Sequence, residues 1–581
     1  MCGIVGYIGR REAAPVIVEG LKKLEYRGYD SFGVATMGDE LCLDKHKGRI
    51  TENAGAALRL KGKAGIGHTR WATHGIPNDA NAHPHTDCTE KIALVHNGII
   101  ENYSELKRQL LARGHVFKSD TDTEVIVHLI EEAYRRKQDL LAAVGEVVPL
   151  LKGSFALLVM TPAEERLIAV RQSSPLVIGI GDGENFTASD MTPLIEHTER
   201  AIFLEDGDVA SITQAKVDIF NQGNPVSREV ELIDWSLEDV KKGGYPHFML
   251  KEIYEQPLAF YNTIQSVDMD ALSKILKNPG TITVVACGSS FNAGLIFKYL
   301  LEESCGIPVR MEYASEFRYF PPPISGLVIG ITQSGETADT LMALRQAKAH
   351  NCRTLAITNV LGSTVSRTAG TTIFMRAGPE ISVAATKSFV AQLAVLMQIA
   401  NCLCGRKCDD MLQRAHQAIE EVLLMDLTEA VGLCRGASSI FYVGRGPFYP
   451  VSLEGALKMK EISYIHAEGY AAGELKHGPF ALLSTETPVI ALCMPGDTYG
   501  VMISNIKEMK ARGAPVIALG CGTDTELADI ADIYISIPQA PMFVQVLCTL
   551  VVLQLLAYHT AVAMGCDVDK PRNLAKSVTV E

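Results

Sequence analysis

The sequence has no long run of basic residues. Lys and Arg number 54 against 67 Asp and Glu, a formal net charge of −13. The electrostatic footprint of a nucleic-acid binder is missing, so nucleic acid is not expected as a partner. Local charge still leaves room for a small anionic substrate. A signal-peptide pattern is lacking too, since Met1-Cys2-Gly3 runs directly into an apolar, strand-like segment. The fourteen cysteines show no paired framework, and a reducing cytoplasm is the expected setting. One late stretch, residues 542–563, is apolar enough to suggest a membrane helix. Gln545, Gln554 and His559 interrupt it, so a buried core helix is expected and no membrane partner. Structural-zinc spacing is also wanting. His68, His74, His83 and His85 cluster, as do Cys402, Cys404 and Cys408, but neither group has a standard ligand spacing. No metal and no other cofactor is expected.

What is present is length. The 581 residues, 47% apolar and 21% charged, exceed one ordinary core and predict two to four globular domains. Up to about Asp234, alternating strand patterns (residues 90–95 and 153–159) mix with helical spacing at 103–111 and 123–133. Layered antiparallel sheets flanked by helices follow from that mixture. A polar stretch, 235–245, contains Lys241-Lys242-Gly243-Gly244 and reads as a linker. Beyond it the chain repeats itself. An apolar strand at 281–286 precedes Cys287-Gly288-Ser289-Ser290 and a helix; another at 439–443 precedes Gly444-Arg445-Gly446-Pro447 and a helix. Each copy continues with further apolar strands, 326–331 and 354–357 in the first, 488–492 and 515–519 in the second. Continuous apolar strands alternating with helices indicate two parallel-sheet α/β domains in tandem.

Cys2 is the first chemical candidate. Removal of Met1 would leave a thiol beside a free α-amino group, whose usual pKa of about 7.7–8.0 suits a general base near neutrality. A buried strand cysteine is the competing reading. Arg70 could pair a carboxylate bidentately. Asn97 and the Gly98 N–H could form an oxyanion hole for a tetrahedral amide intermediate. Asp122 could hold an ammonium or cap a helix. Later in the chain, Thr332-Gln333-Ser334-Gly335-Glu336-Thr337 follows a buried strand and opens a helix, which suits a phosphate. The same residues could be a capping box, with Ser334 as N-cap and Thr337 in the first turn. Ser289 and Ser290 follow the neighbouring strand and could reach the same pocket. Glu454, Lys458 and Glu461 fall on one helix face, either as acid–base groups or as a solvated ion-pair face. His477 stands in a Gly/Pro-bounded turn, and the last twelve residues read as a basic tail.

Two resemblances gather these pieces. Residues 1–6, Tyr26-Arg27-Gly28-Tyr29-Asp30-Ser31, the Arg70-Trp71 segment and His96-Asn97-Gly98 resemble the N-terminal-nucleophile glutamine amidotransferases. That family implies an αββα sandwich and hydrolysis of glutamine to glutamate and ammonia. It assigns Cys2 as nucleophile and base, Asn97 and Gly98 as oxyanion hole, and Arg70, Trp71, Thr73, His83 and Asp122 to the glutamine site. For His83, packing within a loop is an equal alternative. Residues 332–337, 454–461, 472–479 and 571–581 are similar to the sugar isomerase (SIS) domains of the glucosamine-6-phosphate synthase family. The resemblance implies glutamine and fructose 6-phosphate as substrates. Its phosphate contacts would be Ser289, Ser290, Thr332, Gln333, Ser334 and Thr337, with Lys458 near the sugar. His477 would open the ring, Lys576 form a Schiff base at C2, Glu461 move the proton between C1 and C2, and Trp71 gate an ammonia channel.

The whole is expected to be an α/β and α+β multidomain chain, an αββα sandwich followed by two doubly wound SIS domains, assembled as a homodimer. The expected boundaries are 2–234 for the amidotransferase domain, 235–247 for the linker, 248–425 and 426–565 for the SIS domains, and 566–581 for an active-site tail. Thr332 replaces a serine common in bacterial relatives and keeps the hydroxyl, whereas Ala385 stands where relatives often carry serine. The long insertion of animal and fungal relatives is lacking. A phosphoribosyl-transferring amidotransferase would need a strand ending in paired acids, and an asparagine synthetase a Ser-Gly-Gly loop; neither is found. A binding protein that only senses sugar phosphate would not need Cys2, Arg70 and Asn97.

Overall fold

The computed structural model describes residues 2–72, 74–233, 241–405 and 409–579. It divides into two compact units, one of Met1–Val240 with Ala575–Glu581, the other of Lys241–Leu574. Six residues of the expected linker, 235–240, lie outside the described residues.

The first unit is built on one eight-stranded and one seven-stranded sheet. In the former, β1 (Gly3–Ile8) runs antiparallel to β2 (Ala64–Arg70), with Gly3 opposite Thr69. In the latter, β3 (Ala93–Ile100) pairs antiparallel with a strand, Gly153–Thr161, that places Asn97 opposite Ala156. The facing sides share one core: Ile4, Ile8 and Ile66 meet Val95, Leu158 and Ala169. The alternation of β3 is what makes this possible, because Leu94, on its other face, packs with Val125 and Ile130 of the outer helices instead. On the first sheet's outer face lies α1 (Ala13–Leu24), which buries Ile17, Leu21 and Leu24 at helical spacing and ends on Lys22 and Lys23, matched to the helix dipole. Gly67 admits it, since a Cβ there would stand 2.3 Å from the Ile17 Cγ2. Over the second sheet lie α2 (Tyr103–Ala112) and α3 (Glu124–Lys137). Helix, sheet, sheet and helix are therefore stacked in the order expected.

The second unit holds two five-stranded parallel sheets of identical strand order. In the first, β4 (Ile282–Ala286) lies between β5 (Val309–Tyr313) and β6 (Leu327–Ile331). In the second, β7 (Ser439–Gly444) lies between His466–Ala471 and Val489–Leu492. In chain order both read 2-1-3-4-5, a doubly wound arrangement whose ligand crevice opens where the order reverses, at the strands' carboxyl ends. The stretch at 542–563 forms one helix, α4 (Met542–Ala563), packed inside this unit as expected. It and Lys387–Cys404 are long and apolar enough to cross a membrane, yet 83% and 78% of the respective windows are buried in the protein.

One expectation about cysteine changes. Cys305 and Cys404, 99 residues apart, form a disulfide with their Cα atoms at 5.7 Å. Each ends a helix before a left-handed glycine, Gly306 or Gly405. Nothing in local spacing reveals such a pair. Cys404 is thus no metal ligand, and Cys408 lies outside the described residues.

Candidate functional sites

Cys2 immediately precedes β1, and the register with β2 brings it beside Trp71. Its Sγ accepts the Trp71 N–H at 3.3 Å and lies 3.5 Å from the Trp71 carbonyl. Burial pushes the thiol pKa up, offset in part by the Trp71 N–H and the Arg70 charge. The Trp71 segment is itself fixed by the Tyr29-Asp30 motif: Asp30 accepts the Ala72 N–H at 2.8 Å, and Trp71 packs edge-on against Tyr29.

Asn97 donates from Nδ2 to the Cys2 carbonyl at 3.1 Å. His68, to which residue order assigns no role, sets that direction. Its Nε2–H donates to the Asn97 Oδ1 at 3.1 Å and the His96 carbonyl at 2.9 Å, turning the NH2 of Asn97 toward Cys2. Burial drives the His68 pKa down to about 3, so the ring is neutral with its proton on this side. Gly98 follows with φ +120°, and a Cβ there would stand 1.9 Å from the Ser154 carbonyl oxygen. Only glycine fits that backbone.

Arg70 is buried at the end of β2. One Nη donates to the carbonyls of His74 and Gly75, while Nη1 is buried with no hydrogen-bond partner among the described residues. An orphaned guanidinium nitrogen beside Cys2 is a ready carboxylate site. Asp122 is buried, accepts the Ile100 N–H at 2.8 Å and precedes α3 by two residues; the helix's own N-cap position is Thr123, so Asp122 is not its cap. His83 packs on His68 with ring centroids 4.2 Å apart and accepts the His96 N–H at 3.4 Å. Thr73 lies outside the described residues.

In the second unit, β4 and β6 end in register, Ala286 beside Ile331, so residues 287–290 and 332–337 leave the sheet together. The latter loop precedes the helix Ala338–Ala349, whose N-cap is Thr337 without a side-chain cap bond. The capping-box alternative is thereby overturned: Ser334 lies outside the helix, and its Oγ accepts the Glu336 N–H at 3.2 Å. Thr332 and Thr337 hydroxyls touch at 2.8 Å. The loop is tied from behind, where the buried Glu336 carboxylate accepts the Thr364 N–H and hydroxyl and the Asn359 N–H donates to the Gln333 carbonyl. Gly335 takes φ +68° at a point where a Cβ would stand 2.2 Å from the Ser363 Oγ. Among the described residues, no cap side chain takes up the helix's first N–H groups.

Glu454, Lys458 and Glu461 share a face of the helix Phe448–Ser463, but not a solvated one. Glu454 is 0% and Lys458 1% exposed. Lys458 Nζ lies 2.5 Å from Glu461 and 3.4 Å from Glu454. It also donates to the Ser289 Oγ at 3.1 Å, while Ser289 and Asn292 donate to Glu454 at 2.8 Å each. Burial would lower the Lys458 pKa, but Glu461 and Glu454 outweigh it and hold the ammonium charged. Burial raises the Glu454 pKa against the pull of Lys458. Ser289 therefore belongs with this cluster, joining the two SIS-like halves. Ser290 accepts a bond from Gln392 at 2.9 Å.

Two expected residues stand apart. His477 ends a short 3-10 segment, Ala472–His477, and is exposed. No hydrogen bond or ion pair among the described residues joins it to Glu461. Lys576 groups with the first unit, so the expected tail 566–581 is divided after Leu574.

The family model described as "SIS domain" matches residues 275–402 and 434–564, and that described as "Glutamine amidotransferase domain" matches 68–196. Curated relatives span the chain end to end. A glutamine–fructose-6-phosphate aminotransferase (isomerizing) of Thermococcus kodakarensis is 49% identical, and one of Methanosarcina acetivorans 47%, each covering 100% of both chains. Among solved structures, the C-terminal domain of glucosamine-fructose-6-phosphate aminotransferase from Francisella tularensis is 36% identical. It covers 57% of this chain and 100% of its own, with a TM-score of 0.52.

Proposed function

The chain belongs to the glutamine–fructose-6-phosphate aminotransferase (isomerizing) family, and from that premise we propose how its residues divide the reaction. The enzyme moves the amide nitrogen of glutamine to fructose 6-phosphate and isomerises the product to glucosamine 6-phosphate, releasing glutamate, at the entry to amino-sugar synthesis.

In the proposed first half, Met1 is removed and the Cys2 amine takes the thiol proton. The thiolate attacks the glutamine amide carbon. Negative charge develops on the amide oxygen, where the Asn97 NH2 and the Gly98 N–H stabilise it. Arg70 pairs the substrate carboxylate and Asp122 its ammonium, leaving only the side-chain amide at the sulfur. The single observation carrying this half is the buried Arg70 Nη1, which has no hydrogen-bond partner among the described residues and interacts electrostatically with Cys2. Ammonia leaves, Trp71 gates its passage, and water releases glutamate from the thioester.

In the proposed second half, the 332–337 loop and its uncapped helix hold the phosphate, with Ser290 nearby. His477 opens the ring and Lys576 forms an imine with the C2 ketone, which ammonia displaces. Glu461 then carries a proton from C1 to C2, and the charged Lys458 holds Glu461 in its anionic, basic form. A homodimer in the cytoplasm is proposed on the family resemblance. The proposed domain limits are 2–234, 248–425 and 426–565.

Borohydride trapping with fructose 6-phosphate, followed by peptide mapping, tests the covalent step. The label is expected on Lys576 and is lost in Lys576→Arg, whose guanidinium stays protonated and is a poor nucleophile. Label on a different lysine would remove Lys576 from the imine role.

A further inference from the structure

Four side chains of the first unit converge away from Cys2. Cys88 stands in the turn before β3, His115 just past α2, and His128 and Glu131 one turn apart on α3. Their ligand atoms all lie within 4.8 Å of one another. Cys88 Sγ is 3.5 Å from the His115 Nδ1 and 3.6 Å from the His128 Nδ1. Glu131 Oε2 is 3.2 Å from each of the same two nitrogens. A tetrahedral Zn2+ with bonds of about 2.3 Å to sulfur and 2.0–2.1 Å to nitrogen and oxygen sets S···N edges of about 3.6 Å and N···O edges of about 3.3 Å. Four edges of the cluster agree with those lengths.

The outer contacts point the same way. The far nitrogen of each ring also faces a carboxylate: His115 Nε2 lies 3.1 Å from Glu132, and His128 Nε2 3.7 Å from Glu124. A neutral imidazole has one N–H and one lone pair. Without a cation, His115, with a carboxylate oxygen within 3.2 Å of each nitrogen, must either turn a lone pair toward a carboxylate or be doubly protonated while buried. A metal on both Nδ1 lone pairs removes the conflict: the His115 Nε2–H then donates to Glu132, the arrangement that orients metal-bound histidines, while the His128 Nε2–H is only turned toward Glu124, 3.7 Å away and outside hydrogen-bond reach. One thiolate and one carboxylate balance the dication. Glu131 keeps its other oxygen on Arg135. The Asp87 carboxylate, accepting the N–H groups of Lys91 and Ile92 at 2.7 and 2.8 Å, braces the turn that presents Cys88. Cys88 is exposed and its three companions are buried, which provides an entry path.

We propose that Cys88, His115, His128 and Glu131 bind one structural Zn2+. The ion staples the turn before β3 and the end of α2 to α3, the helix entered through Asp122. It takes no part in the amide or sugar chemistry.

The test uses the full-length chain, stripped with chelator, loaded with one equivalent of Co2+ and desalted. About one Co2+ per chain is expected to remain, with the intense visible bands of a tetrahedral ion and a near-ultraviolet thiolate-to-cobalt band. Cys88→Ser should abolish the thiolate band. Glu132→Gln, which spares all four ligands, should weaken Zn2+ affinity by about 10-fold or more. Wild-type chain that retains no Co2+, or Co2+ bound without the thiolate band, overturns the site. Both of those results are read on wild-type protein, so they hold even where Cys88→Ser fails to fold.

Discussion

At the scale of the residue, the proposed glutamine site depends on direction more than on composition. Asn97 can stabilise an oxyanion only if its NH2 faces Cys2, and the His68 N–H on its Oδ1 fixes that orientation. Asn97→Ala is therefore expected to lower the turnover of glutamine hydrolysis by about 10²–10³-fold with a small change in KM, the pattern of a donor acting in the transition state. Steady-state glutamate release checks it. The sequence made Cys2, Arg70 and Asn97 legible because their chemistry is written into residue type and order. It did not reveal His68, since an orienting histidine differs from a core histidine only by which atoms it touches. The four zinc ligands were hidden for a similar reason: 26 and 12 residues intervene in a spacing that fits no standard pattern, and only the packing of α2 and α3 on β3 assembles them.

At the scale of the element, the proposed phosphate loop, residues 332–337, combines hydroxyls with a helix whose N-cap makes no side-chain bond. Ser334→Ala and Thr337→Ala should each weaken fructose 6-phosphate binding by about 1–2 kcal/mol, the loss of one bond to a charged group. Isothermal titration with the sugar phosphate measures it directly. The helix Phe448–Ser463 carries a different constraint. Lys458→Met would leave the fully buried Glu454 uncompensated and should destabilise the second unit by about 3–5 kcal/mol in urea unfolding. Adding Glu454→Gln should recover most of that loss. The repeat itself was readable from central strands, whose two covered faces give continuous apolar runs. The edge strands Val309–Tyr313 and His466–Ala471 were not, because each is only partly buried and reads as polar.

At the scale of the molecule, the first unit carries a cluster of buried histidines, and its stability should respond to acid. Burial depresses the pKa of His68, His83, His85 and His96 below the usual value of about 6.5. An unfolded chain takes up these protons below pH ~6.5 while the folded unit resists, in the case of His68 down to about 3. The stability they contribute is complete above pH ~6.5 and is lost progressively as pH falls from there toward the folded values. Thermal unfolding of the first unit between pH 7 and 5 checks the sign, and His68→Gln should flatten the slope. The fold class and the tandem order followed from pattern and resemblance. The grouping of residues 575–579 with the first unit did not, because a short polar tail carries no periodicity to show where it packs.

In the proposed reaction, nitrogen released at Cys2 becomes the amine of the sugar. Glutamine labelled with 15N at the amide, supplied with fructose 6-phosphate and excess unlabelled ammonium, tests it most directly. Mass spectrometry should find 15N in the glucosamine 6-phosphate made by the wild-type chain. Cys2→Ala should make no 15N product while still binding fructose 6-phosphate. Amino sugar from the wild-type chain carrying unlabelled nitrogen, or 15N product from Cys2→Ala, would contradict the account.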